Sequence, residues 1–283
     1  MLQKEFSLST EKIGKATSHF TIGFGLLRVE NGAEHISSAG SGTLVTVGSV
    51  HGILTAAHVI DALSKKGQVG IITSVDESSP LQALKIEMDH AVPVVIGEKR
   101  SVELGPDLGF LRLPRESVGW LTAKNSFYNL LKYRDDVLGN KAPAPDHVDT
   151  MTGVIDELTA EAPGSKPGAK KTLFTTIFCG ARLIALRYVD EHGLYYFEPS
   201  DKIDFSLPGS FKGMSGGGVW RFYVTKNKDG TLNPIDRQFI AVPFYQSPPS
   251  DGKREITCQG PYGIYGSLID AVTKRWPDEA SKT

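Results

Sequence analysis

The sequence is short of cysteine, of surplus charge of either sign, and of long apolar runs. Only two cysteines, Cys179 and Cys258, occur in 283 residues. A secreted protein of this length ordinarily carries several disulfides, so the low count points to a reducing compartment and to free thiols packed as small apolar groups. Lys and Arg number 31 against 32 Asp and Glu, a formal net charge of −1, which excludes the broad basic surface that nucleic acid requires. The Lys166–Lys171 cluster lies among Gly, Pro and Ala and reads as a solvated loop. Apolar stretches such as Ala91–Ile96 fall far short of a membrane span. The opening MLQKEFSLSTEK has no apolar core of a secretory signal. The expectation is a cytoplasmic protein with no nucleic-acid or membrane partner. No Cys or His pair has metal-ligand spacing, so no metal or other cofactor is expected.

What is present is glycine and short β-type runs. Thirty glycines punctuate segments such as His19–Val29, Ser41–Val47, Gly52–Thr55, Gly109–Leu113, Ala181–Val189, Gly218–Val224 and Phe239–Val242. Many short strands between turn signals suggest a sandwich or barrel, and neither βαβ alternation nor a fixed repeat is visible. Three segments depart from this pattern. Ser126–Leu138 has apolar residues at helical spacing and predicts a surface helix on a connector. Ser267–Asp270 resembles a capping box with Ser267 as N-cap; Leu268, Ile269 and Val272 form its apolar face and Pro277 stops the helix. Ala160–Lys171, rich in Gly, Pro and Lys, predicts a surface loop.

Chemistry concentrates in three places. Gly213-Met-Ser-Gly-Gly217 sets Ser215 in a turn that exposes a hydroxyl, as in an α/β-hydrolase elbow or a protease serine turn. All seven histidines precede Ser215, so the hydrolase order of serine, acid, histidine is unavailable. Thr55-Ala-Ala-His58 ends an apolar strand with two small residues and a histidine, which leaves room beside a general base. Asp107 opens the apolar run Leu108–Leu113 after a Gly-Pro turn and can supply the carboxylate that orients an imidazole. Asp89 is the rival acid, but no apolar strand follows it.

Together these motifs resemble the trypsin/chymotrypsin-like serine proteases. Thr-Ala-Ala-His58 is similar to the family's histidine motif, Asp107-Leu-Gly-Phe-Leu to its aspartate strand, and Gly213-Met-Ser-Gly-Gly to Gly-Asp-Ser-Gly-Gly. Ser41-Gly-Thr-Leu is similar to the strand leading toward the histidine. The resemblance implies an all-β fold of two packed antiparallel β-barrels with a C-terminal helix. A first barrel over 14–120 would carry His58 and Asp107. A connector of helix and loop would follow over 121–170. A second barrel over 171–283 would carry Ser215.

The resemblance also implies peptide hydrolysis by a His58, Asp107, Ser215 triad, with Gly213 and Ser215 backbone N–H groups forming the oxyanion hole. Gly209, Ser210, Lys212, Phe244, Tyr245 and Gln246 would bind a protein or peptide substrate. Gly209, six residues before the nucleophile, would be the pocket floor; with no carboxylate there, P1 residues are expected to be apolar or small and uncharged. Gln246 stands where the family often has Gly and would narrow the mouth. Met214 replaces the aspartate that pairs with a new N-terminus in zymogen-activated members, so that switch is not expected. The alternative is a catalytically silent trypsin-like fold used as a binding module.

Overall fold

Strands form where β-branched and aromatic residues run between glycine turns. The computed structural model describes residues 13–30, 33–73, 83–96, 106–158, 160–163, 170–173, 182–199, 209–228, 230–250 and 253–282. In the first half lie β1 (Thr21–Glu30), β2 (Ala33–Val47), β3 (Val50–Thr55), β4 (Gln68–Thr73), β5 (Ala83–Glu87), β6 (Val92–Ile96), β7 (Leu108–Arg112) and β8 (Tyr128–Asn129). They build one curled sheet in the order β5-β4-β1-β2-β3-β7-β6, with the short β8 added in parallel to β2. Its two ends, β5 and β6, do not pair among the described residues, and the curled sheet is compatible with the expected all-β two-barrel fold.

The second half supplies β9 (His147–Thr152), β10 (Ala160–Pro163), β11 (Lys170–Leu173), β12 (Arg182–Val189), β13 (Leu194–Pro199), β14 (Gly218–Lys226), β15 (Leu232–Gln246) and β16 (Ile256–Gln259). Six of these close a barrel in the order β12-β13-β16-β15-β14-β9. β9 is the closing strand, antiparallel to β12 on one side and β14 on the other. The second barrel therefore begins near residue 147, not 171. β10 and β11 pair antiparallel, so the two ends of the predicted loop are strands; residues 164–169 between them lie outside the described residues.

Three apolar clusters hold these layers. One fills the barrel interior, with Met151, Phe197, Val219, Ala241 and Cys258. A second lies mainly inside the first sheet, around Ile22, Phe24, Leu44, Ile53 and Leu111. The third spans the seam and joins Phe20, Leu54 and Phe110 to Trp220, Phe239 and Tyr265. Trp220 is fully buried there, its ring centroid 5.3 Å from those of both Phe20 and Tyr128. Truncation of such a residue to alanine costs about 3–5 kcal/mol.

Two helical segments differ from expectation for identifiable reasons. Helix Leu130–Leu138 starts at Asn129, whose side chain accepts a hydrogen bond from the Lys132 N–H at 3.0 Å. It buries Leu130 and Val137 in the seam cluster, so it is a packed element and not a free connector. Toward the C-terminus, a π-type helical stretch, Tyr262–Leu268, runs directly into helix Ile269–Arg275. Ser267 thus lies inside continuous helix and caps nothing. Pro277 opens a further short helix, Pro277–Ala280, after a break at Trp276. No helix among the described residues is long and apolar enough to cross a membrane.

Candidate active site

Asp107 and His58 meet at the open side of the first sheet. β3 ends at Thr55, and the helix Ala57–Leu63 begins immediately, which turns His58 outward at its first turn. β7 pairs with β3 through Thr55 and Gly109, so the residue just before β7, Asp107, comes to lie beside that turn. Asp107 Oδ1 accepts the His58 backbone N–H at 2.9 Å, and Oδ2 meets His58 Nδ1 at 2.5 Å. The carboxylate is buried while the imidazole keeps part of its surface in solvent. A carboxylate on Nδ1 fixes the proton there and leaves the Nε2 lone pair facing outward. Asp89, the rival acid, is exposed in a 3₁₀ turn after β5.

Ser215 comes from the loop before β14, across the seam. Its carbonyl accepts the Ser41 N–H at 2.8 Å, and the next N–H, on Gly216, donates to Pro243 O at 2.8 Å. A Cβ on Gly216 would overlap Thr55 Oγ1 and the Ser41 carbonyl and stand 2.9 Å from Ala56 N. The Ser215 loop is thus wedged against the strand end that leads to His58, and the three predicted residues share one stretch of the seam. Ser215 Oγ donates to Phe244 O at 3.5 Å, the long limit of a hydrogen bond; no hydrogen bond joins it to His58 in this conformation. Such catalytic contacts are commonly long before substrate binds.

Gly213 has φ of +93°, and a Cβ there would lie 2.5 Å from Asp156 Oδ1 and 2.9 Å from Val154 O. Only glycine fits that conformation and that space. Two successive carbonyls of the loop are held on the far side: Lys212 O accepts Asp156 N–H at 2.8 Å, and Gly213 O accepts Ser41 Oγ at 2.7 Å. The Gly213 and Ser215 N–H groups have no acceptor among the described residues. Both N–H groups are thus available to an incoming acceptor.

Beside this point opens a cleft of about 400 Å³. Met151, Phe211, Met214 and Ile256 give it an apolar lining, and Ser210, Lys212, Phe244, Tyr245 and Gln246 stand on its walls. Gln246 Oε1 accepts the Phe211 N–H at 2.8 Å and so bridges the two walls. Gly209 does not line the cleft. It sits on an exposed turn, where its N–H and that of Ser210 donate to the two Glu157 oxygens at 3.0 and 2.8 Å. Those two bonds hold the Glu157 carboxyl below the ordinary carboxylate range. Met214, buried among Phe211, Met151 and Val219, carries no charge to pair with an amine.

No protein-family model matches the chain, and no curated protein is similar to it at a significant level. The geometry therefore carries the functional reading by itself.

Sequence reasoning passed over three residues of the site. Ser41 was noted only as part of a strand. Glu157 and Asp156 lie in a stretch with no motif. Cys258, by contrast, is buried and free inside the barrel, and burial pushes its thiol well above the ordinary range. Cys179 lies outside the described residues. Among the described residues no group of three or more His, Cys, Asp or Glu side chains could hold a metal.

Proposed function

We propose that the protein is a serine endopeptidase that hydrolyses peptide bonds through an acyl-enzyme on Ser215. The observation that carries this reading is the doubly held His58, with Asp107 on its ring and on its backbone, beside a serine loop that presents two unpaired N–H groups. Ser215 Oγ attacks the scissile carbonyl. His58 Nε2 takes the proton and later delivers it to the departing amine, and Asp107 stabilises the imidazolium that forms between those steps. The N–H groups of Gly213 and Ser215 receive the negative charge on the carbonyl oxygen. Loss of one such donor costs about 10²–10³ in kcat in comparable sites.

The substrate is an extended protein or peptide segment. Its backbone pairs with the end of β15 at Tyr245 and Gln246 as an added strand. The apolar lining and the Gln246 bridge favour small or apolar P1 side chains and leave no carboxylate to select Arg or Lys.

One observation favours the second reading, a silent fold that only binds: Ser215 Oγ is turned toward Phe244 O. A fluorophosphonate probe separates the two. The endopeptidase reading expects covalent labelling of Ser215 in the native protein, its loss in Ser215→Ala, and strong reduction in His58→Ala. A native protein that is never labelled and cleaves no peptide library would leave only the binding module.

A further inference from the structure

We propose that Ser41 is the positioning residue that holds the oxyanion hole in its working orientation; the inference deepens the serine endopeptidase reading and rests on it. Ser41 lies on β2, in the opposite sheet from Ser215, and is completely buried. Its hydroxyl donates to Gly213 O at 2.7 Å and accepts the Val154 N–H at 2.7 Å. Its backbone N–H donates to Ser215 O at 2.8 Å. Its backbone carbonyl accepts Thr55 Oγ1 at 2.7 Å, three residues before His58. One residue thus touches the hole, the nucleophile's own carbonyl and the strand end that presents the base.

The need for such a hold follows from Gly213. A glycine at φ +93° pays little to rotate away, because no Cβ penalises the alternatives. The Gly213 N–H lies in the Lys212–Gly213 peptide; Ser41 holds the next peptide, through Gly213 O, and so limits rotation about the shared Gly213 Cα that would tilt the N–H. The neighbouring Met214 is apolar and cannot fix the loop by an ion pair. What opposes rotation is Lys212 O on Asp156 N–H, Met214 N–H on Phe211 O at 3.0 Å, and Gly213 O on Ser41 Oγ. Of these three, the Ser41 bond is the one that reaches across the seam.

The test is steady-state kinetics on a peptide ester or amide, with wild type beside Ser41→Ala and Ser41→Thr, and a melting curve for each. Ser41→Ala is expected to lower kcat by about 10- to 10²-fold with KM nearly unchanged, since a misaligned donor acts on the transition state alone. Affinity for a peptide aldehyde, whose adduct places an oxyanion in the hole, should fall in parallel with kcat. The pH midpoint of kcat/KM should stay put, because His58 and Asp107 are untouched. Ser41→Thr restores a hydroxyl and should recover most of kcat.

A folded Ser41→Ala with wild-type kcat overturns the inference, as does a loss carried wholly by KM or one that Ser41→Thr does not relieve. Should Ser41→Ala not fold, Ser41→Cys keeps the side chain and weakens the donor. It is then expected to show the same pattern at smaller size, and a wild-type kcat there overturns the inference too. A wild type with no turnover and no labelling of Ser215 removes the endopeptidase reading and this inference together; an active wild type with an equally active Ser41→Ala removes this one alone.

Discussion

Asp107 grips His58 at two points, one carboxylate oxygen on the ring nitrogen at 2.5 Å and the other on the backbone N–H at 2.9 Å. The second contact orients the carboxylate so that the first has one geometry. Asp107→Asn keeps the shape and presents an amide where the charge stood. It then favours the tautomer with the proton on Nε2, which cannot accept from Ser215. The expected loss in kcat is about 10³- to 10⁴-fold, by analogy with aspartate triads elsewhere. Circular dichroism should show an unchanged fold. A folded Asp107→Asn within tenfold of wild type would exclude a role for Asp107 in orienting the base.

Gly213→Ala tests the hole directly. The methyl would stand 2.5 Å from Asp156 Oδ1 in a backbone conformation that alanine avoids. The cost is about 1–3 kcal/mol in stability, read from urea unfolding. Activity should fall further than stability explains, by 10² or more, because the N–H turns away. Equal activity at equal substrate would mean that Gly213 N–H receives no charge.

Gln246→Gly removes the bridge to Phe211 N–H and opens the cleft between its walls. The P1 profile from a peptide library should shift toward the bulkiest apolar residues, Phe and Trp, with little change for the small ones. An identical profile would show that Gln246 does not set the depth of the pocket.

Cys258 should resist alkylation by iodoacetamide in the native protein and react after denaturation. It is enclosed in the barrel, and burial disfavours the thiolate that would be the nucleophile. Mass spectrometry of the peptide containing Cys258 reads this outcome. Native labelling at that residue would show that the barrel opens readily.

Much of the candidate site is legible because its residues sit in short local motifs: small residues before His58, an apolar strand after Asp107, glycines around Ser215. Gly209 misled because a pocket floor was placed by counting back from Ser215, and the loop instead turns outward onto Glu157. The helix at Ser126–Leu138 was legible, but its burial was not. Leu130 and Val137 look like an ordinary apolar stripe until the seam that receives them is known. Ser267 looked like a cap because Gly263 and Gly266 disguise the helical stretch before it. Ser41 is visible in the sequence only as the start of the Ser41-Gly-Thr-Leu strand, with nothing that marks its hydroxyl. Its partner Gly213 is 172 residues away, and a single buried hydroxyl leaves no mark on sequence periodicity.

The wedge at Gly216 makes the two sheets answer to each other. With no room for even a methyl against Thr55 and Ser41, a slight slide of one sheet along the other would shift Ser215 relative to His58. Catalysis would then be a finer gauge of how the halves are aligned than any spectroscopic signal of folding. On the proposed function, mild urea or moderate pressure should abolish hydrolysis while Trp220 still reports an intact interior.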